Sequence, residues 1–341
     1  MSSKTEVRFW YPSRKYLAHK SEFDSEIQRV LSSGDLILRE DVHLFEKNLA
    51  EFLGVKHVVS VASGTDALIL SLRATNVGIL DEVLCPSYTF RATIEAIHHV
   101  GAKPVLYDLD GRFEHLVTKR TAAILPAHLE GAVRDDMQYV TNFCQGNGLV
   151  LIEDSCQAIG ASPLFGTTAC YSFYPAKILG CFGDGGAIAT DNTHLAAHLL
   201  KMRNHYKGDW KAGYGYNSRL DNVQAAILNV KLRYLNDDLK RRKQIATMYD
   251  NNLFGVGIPE VREVYQDYII VFPNVLGLHE HLEKNGVETA FNHYPFPGDL
   301  EKGSLAKGYE YNSLRIPCSP EHTDEEIHYV IEKINEYVLK G

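Results

Sequence analysis

Between residues 42 and 153 the sequence alternates short apolar runs with longer segments of helical period, and no other feature narrows the fold as much. Val42–Leu53 places Val42, Phe45, Leu49 and Phe52 on one helical face, with Gly54 as a natural stop. Val58–Ala62 reads as a buried strand, and Ser63–Gly64 leads into a helical Thr65–Arg73. Strand-like runs recur at Glu82–Cys85, Pro104–Leu109, Ala122–Pro126 and Leu149–Glu153, mostly with helix-like segments between. Strands spaced this way predict an α/β architecture with a mostly parallel sheet covered by helices on both faces.

Beyond Gly186 the pattern changes. Asp191–Asn204 and Asp221–Leu239 read as longer helices, and Tyr268–Phe272 and Val287–Phe291 as strands of a smaller α+β unit. The chain closes with a helix over Thr323–Leu339, where Thr323 and Glu326 form a capping-box pair. These readings predict a large domain over residues 1–235 and a small one over 236–341.

With 341 residues, 45% hydrophobic and 23% charged, the chain can bury a large core. Its net charge of -8 gives no electrostatic reason to expect nucleic acid or an anionic membrane as partner. An anionic ligand must therefore meet a local set of donors. The six cysteines form no CxxC pair and no Cys/His ladder, so neither a zinc site nor a disulfide framework is expected. The N-terminus lacks the apolar run of a signal peptide, and no apolar stretch approaches a membrane span. A soluble, cytoplasmic protein is expected.

Four segments carry candidate chemistry, each with a plainer reading beside it. Ser63-Gly64-Thr65-Asp66 is a strand-to-helix turn that can hold a phosphate on helix N–H groups, or simply cap the helix. Asp154, directly after an apolar strand, sits where parallel sheets bind ligands; it can pair with a ring nitrogen, ligate a metal or cap a helix. Lys177 lies between Pro175 and the Gly183–Gly186 cluster, either a solvated charge or an amine in a tight, partly desolvated loop. Phe90, in Pro86-Ser87-Tyr88-Thr89-Phe90, packs the core or stacks on a flat ring. Together they supply a phosphate cup, an aromatic platform, a carboxylate and a lysine, which a phosphorylated pyridine aldehyde requires.

The motifs SGTDAL, PSYTF, EDSCQAIGA, SFYPAKILG, GDGGAI and GYNSRLDNVQAAIL, with NHYP at Asn292–Pro295, resemble the DegT/DnrJ/EryC1/StrS sugar-nucleotide aminotransferases. That family belongs to the fold-type-I superfamily of pyridoxal 5'-phosphate enzymes. The resemblance implies catalytic roles for Lys177, as Schiff-base lysine and proton carrier, and for Asp154, as partner of the pyridine nitrogen. It places Gln157 at the ring hydroxyl and Phe90 on the ring face. Gly64, Thr65 and Ser172 fall at phosphate-binding positions, with Asp66 in the same turn. Asn217 matches a residue that reaches the phosphate from a neighbouring subunit, which implies a homodimer with shared sites. Arg219, His293 and Tyr294 are the candidates for binding the donor carboxylate or the nucleotide, although Arg219 and His293 read equally as structural ion-pair residues. The implied substrates are L-glutamate and a nucleotide-linked 3- or 4-keto hexose.

Departures from the family pattern occur at Arg39, in the shortened Gly111–Thr121 region, and at the FPGD that follows Pro295. They bear on the identity of the sugar. Three rivals remain. A dehydratase of the same fold carries histidine in place of the lysine, a regulatory relative need not retain the site, and a Rossmann dehydrogenase needs a GxGxxG that is missing here.

Overall fold

The computed structural model describes residues 6–161, 164–209, 211, 213–258, 262–291 and 305–340. Seven strands form the main sheet: β1 (His57–Val61), β2 (Glu82–Pro86), β3 (Lys103–Tyr107), β4 (Thr121–Ile124), β5 (Val150–Asp154), β6 (Thr168–Ser172) and β7 (Gly186–Thr190). Their order across the sheet is β1-β7-β6-β5-β4-β2-β3. β7 runs antiparallel to both neighbours, and the other pairings are parallel.

The alternation of side chains shows why both faces are covered. Cys170 and Ile188 point into a core with Leu68, Leu72, Ile97 and Leu199. Ala169, Tyr171, Ala187 and Ala189 point the other way, onto Phe45, Leu49 and Leu228. The first core is roofed by the helices Gly64–Ala74, Arg91–His99 and Thr193–Met202, the second by Glu40–Leu53 and Asn222–Arg233. β6 and β7 carry no strand signal in the sequence. Their sequences, TACYS and GAIAT, are rich in small residues and buried almost throughout, so neither alternation nor a β-branched run marks them.

The predicted helix over Asp221–Leu239 is two helices, Asn222–Arg233 and Leu235–Asn252, which break at Tyr234. The break lets Leu228 face the main core while Ile245 and Tyr249 enter another. That other core lies against an antiparallel sheet of β8 (Tyr268–Val271), β9 (Ala290–Phe291) and β10 (Ser313–Ile316), in the order β8-β10-β9. Of the predicted Val287–Phe291 strand only β9 joins this sheet. Val287 instead pairs in parallel with Val7, and both side chains are fully buried in the same core.

The closing helix, Asp324–Lys340, starts as expected: Glu326 N–H donates to Thr323 Oγ1 (3.2 Å), and Thr323 N–H to Glu326 Oε2 (3.0 Å). All six cysteines are free, five of them buried and Cys156 half-buried. Among the described residues no helix is long and apolar enough to cross a membrane. Arg39 precedes the Glu40–Leu53 helix, exposed and paired with Asp35 at 3.1 Å.

Candidate active site

Parallel sheets bind ligands outside the carboxyl ends of their strands. Here β5 ends on Asp154 and β6 on Ser172. β7 starts at the same edge, because its first residue, Gly186, pairs with both Val61 and Ser172. A cavity of about 430 Å³ opens there, and Gly64, Thr65, Phe90, Asp154, Gln157, Ser172 and Lys177 all line it.

At one wall the Gly64–Ala74 helix begins. Ser63 caps it by accepting from Asp66 N–H (3.1 Å), so the plain reading of that serine holds, and the helix N-terminus also faces the cavity through Gly64 and Thr65. A Cβ on Gly64 would lie 2.7 Å from Ser172 Cβ and 2.9 Å from Cys156 Sγ. Only glycine lets the helix start sit this close to the end of β6. The helix N–H groups, the helix dipole and the Ser172 hydroxyl thereby stand together at one cavity wall, a set of donors that can hold an anion.

Asp154 is 7% exposed. Its Oδ2 accepts from Thr93 Oγ1 (2.7 Å) and its Oδ1 from Cys156 N–H (3.2 Å), so both oxygens are oriented by donors. No group of metal-ligating side chains occurs among the described residues. Gln157 Oε1 accepts from Glu130 N–H (2.6 Å), which fixes the direction of the amide. Phe90 is not a core residue: it stands at the start of the Arg91–His99 helix, 50% exposed, against the cavity. Burial, and then the charge of Asp154, push the Cys156 thiol well above its ordinary range, which leaves it a neutral part of the wall.

Lys177 is half-buried on a tight turn. Its N–H donates to Tyr174 O (2.8 Å), and Cys181 N–H returns to Phe173 O (2.9 Å). A side chain on Gly180 would collide with the carbonyl oxygens of Pro175 and Tyr174, so glycine permits the closure.

Three candidates stand apart from this cavity. Asp66 accepts from Ser218 Oγ (2.6 Å) and does not line the cavity. Asn217 is exposed and bridges to Asn204. Arg219 donates to Asn204 Oδ1 (2.9 Å), away from the cavity. His293 and Tyr294 lie outside the described residues.

Conversely, the cavity includes residues that sequence reasoning missed. Phe9 and Trp10 reach it from the N-terminal segment, and Gln266 and Arg315 from the neighbourhood of the small sheet. Arg315 pairs with Asp267 (3.1 Å) and donates to Phe291 O (3.2 Å). His128 is buried, with Nε2 3.0 Å from Glu153 Oε2, and Nδ1 makes no hydrogen bond to a described residue. It follows β4 much as Asp154 ends β5, a positional signal available in the sequence. No local signal marks Phe9, Trp10 or Gln266.

Similarity to known proteins agrees with this geometry. The sequence profile of the DegT/DnrJ/EryC1/StrS aminotransferase family matches residues 18–335. A UDP-2-acetamido-2-deoxy-3-oxo-D-glucuronate aminotransferase of Pseudomonas aeruginosa is 38% identical over 301 residues, covering 82% of this chain and 83% of its own. DesV of S. venezuelae, solved in complex with a ketimine intermediate, superposes with a TM-score of 0.93 at 32% identity over 98% of both chains. NtdA of Bacillus subtilis, solved with bound cofactor PMP, superposes with a TM-score of 0.92 at 26% identity, covering 99% of this chain and 86% of its own. The residues in place fit such a cofactor: the cleft at Gly64, which a Cβ would fill, suits a phosphate, and a buried carboxylate shares the cavity with a half-buried lysine. The chain belongs to the DegT/DnrJ/EryC1/StrS aminotransferase family, whose members work with pyridoxal phosphate.

Proposed function

We propose that the protein moves an amino group from L-glutamate to a nucleotide-linked 3- or 4-keto hexose. The observation that carries this reading is that Lys177 and Asp154 share one cavity at the strand ends with the helix start at Gly64. Gly64 and Thr65 N–H groups and the Ser172 hydroxyl would hold the cofactor's phosphate. Asp154 would accept from the protonated ring nitrogen, Gln157 would meet the ring hydroxyl, and Phe90 would pack on the ring. Lys177 Nζ would tether the cofactor and, once freed, would act as the base for the proton on the donor's α-carbon. Bound pyridoxal phosphate supplies the electron sink that makes this proton removable. In the second half-reaction the same amine would deliver a proton to the sugar carbon that receives the amino group.

The acceptor class rests on the relative from Pseudomonas aeruginosa, whose name specifies a UDP-linked 3-oxo sugar. Arg219, His293 and Tyr294 are proposed to bind substrate. Asn217, exposed and away from its own cavity, is proposed to reach the phosphate of a second subunit in a homodimer, and Asp66 to hold its segment through Ser218. A division near residue 235, a cytoplasmic location and a role in amino-sugar or polysaccharide biosynthesis complete the proposal.

The test is spectroscopic and chemical. The purified protein should carry a visible band that bleaches with L-glutamate and returns with one of a panel of dTDP-, GDP- or UDP-linked keto sugars, with the aminated sugar found by mass spectrometry. A protein that stays colourless and inert with added pyridoxal phosphate defeats the reading. For the dimer, Lys177→Ala and Asn217→Ala chains should each be inactive and regain activity when mixed.

A further inference from the structure

Gln266 is 6% exposed and uses every polar group it has. Its side-chain Oε1 accepts from Ile178 N–H (3.0 Å), and its Nε2 donates to Ala176 O (2.9 Å). Those two atoms belong to the peptide units on either side of Lys177 Cα. Peptide units are planar, so their orientations are set by the two soft backbone dihedrals of Lys177. One amide that grips both units fixes those dihedrals, and with them the direction in which the lysine side chain leaves the backbone.

The backbone of Gln266 is anchored as well. Its N–H donates to Glu130 O (3.2 Å), and its carbonyl accepts from Arg242 Nη1 (2.9 Å). Arg242 Nη1 also holds the carbonyls of Tyr265 (3.2 Å) and Cys318 (3.1 Å). Glu130 N–H is the group that orients Gln157, which lines the same cavity. A single residue just before β8 therefore touches, directly or through one intermediary, both Lys177 and Gln157.

We propose that Gln266 is a positioning residue that sets the aim of Lys177 and couples it to the small sheet. This rests on the reading of Lys177 as the cofactor lysine. Gln266 touches neither substrate nor the reacting atoms in this role; it acts through the Lys177 backbone. A methionine of similar length removes both side-chain hydrogen bonds. A glutamate keeps the bond from Ile178 N–H but loses the donor to Ala176 O.

The experiment uses the holoenzyme. Borohydride reduction and peptide mapping of the wild type first locate the attached cofactor. Amide hydrogen exchange over residues 173–181, the pH midpoint of the visible band, and kcat with KM for glutamate are then measured in Gln266→Met and Gln266→Glu. Loss of buried hydrogen bonds should speed exchange at Ile178 by roughly 5–30-fold in Gln266→Met, with a smaller change in Gln266→Glu. The midpoint should move and kcat should fall while KM for glutamate holds, since the donor's own contacts are intact. If Gln266→Met does not fold, Gln266→Glu carries the same test. Wild-type exchange, midpoint and kcat in a folded variant would overturn the proposal with Lys177 still labelled. A label found elsewhere than Lys177 would instead overturn the reading on which it rests.

Discussion

Thr93 donates its hydroxyl hydrogen to Asp154 Oδ2 across 2.7 Å, and Thr89 Oγ1 stands 2.7 Å behind it. Because Thr93 has one hydroxyl hydrogen and gives it to Asp154, Thr89 must be the donor of the second bond. The two threonines, one turn apart, form a relay that holds the carboxylate from the side of the Arg91–His99 helix. Thr93→Val keeps the shape but removes the donor and leaves Thr89 without its acceptor. We expect cofactor affinity to fall by about 1–3 kcal/mol, with Thr93→Ser nearly unchanged. Titration of the apo-protein with pyridoxal phosphate measures this; equal affinity in Thr93→Val would count against the orienting role.

Gly64→Ala places a methyl group 2.7 Å from Ser172 Cβ, so the helix start must move off the end of β6. Overpacking of this kind costs about 1–3 kcal/mol, and the displaced helix also parts its N–H groups from the Ser172 hydroxyl. The variant should unfold earlier than wild type and should gain less stability from added cofactor. Thermal unfolding with and without pyridoxal phosphate separates the two effects.

Lys177→Ala truncates a half-buried side chain on a turn held by backbone bonds from Lys177 and Cys181, so the melting temperature should change little. Turnover should drop by at least about 10²–10⁴-fold, the contribution of a positioned proton carrier, and borohydride should label nothing. An active Lys177→Ala enzyme removes the central assignment.

Glu326 ties the N-terminal segment to the closing helix. It accepts from Arg14 Nη1 and Nη2 (2.7 Å each) and from Tyr11 Oη (3.0 Å), close in sequence to the cavity residues Phe9 and Trp10. Burial alone would raise its carboxyl; the bonds from Arg14, Thr323 N–H and Tyr11 outweigh that and bring it down to about 2. A depressed carboxyl stabilises the fold fully above its unfolded value of 4.5, and the contribution fades as pH falls toward 2. Glu326→Gln should therefore cost about 2 kcal/mol at pH 7, after allowance for solvent screening, and progressively less in acid. Urea unfolding at pH 7, 5 and 3 gives the comparison; a difference independent of pH would point to packing instead.

The sequence by itself determined the local chemistry. Apolar period and flanking turns placed β1 to β5 and the Glu40–Leu53 and Gly64–Ala74 helices, because each signal is written in contiguous residues. The capping box at Thr323 and the positions of Asp154, Ser172 and Lys177 at the cavity were legible for the same reason. Tertiary structure alone decided the rest. The small-residue strands β6 and β7 take their conformation from neighbours on both sides, so they leave no local pattern. Val7 pairs with Val287, and Gln266 grips the turn at Lys177, across separations of 280 and 89 residues that no periodicity can report. Asp66 accepts from Ser218 at 2.6 Å, a partner 152 residues away that no local pattern reports. Side chains far apart in the chain become partners only when the folded backbone brings them within hydrogen-bonding range, a distance of about 3 Å.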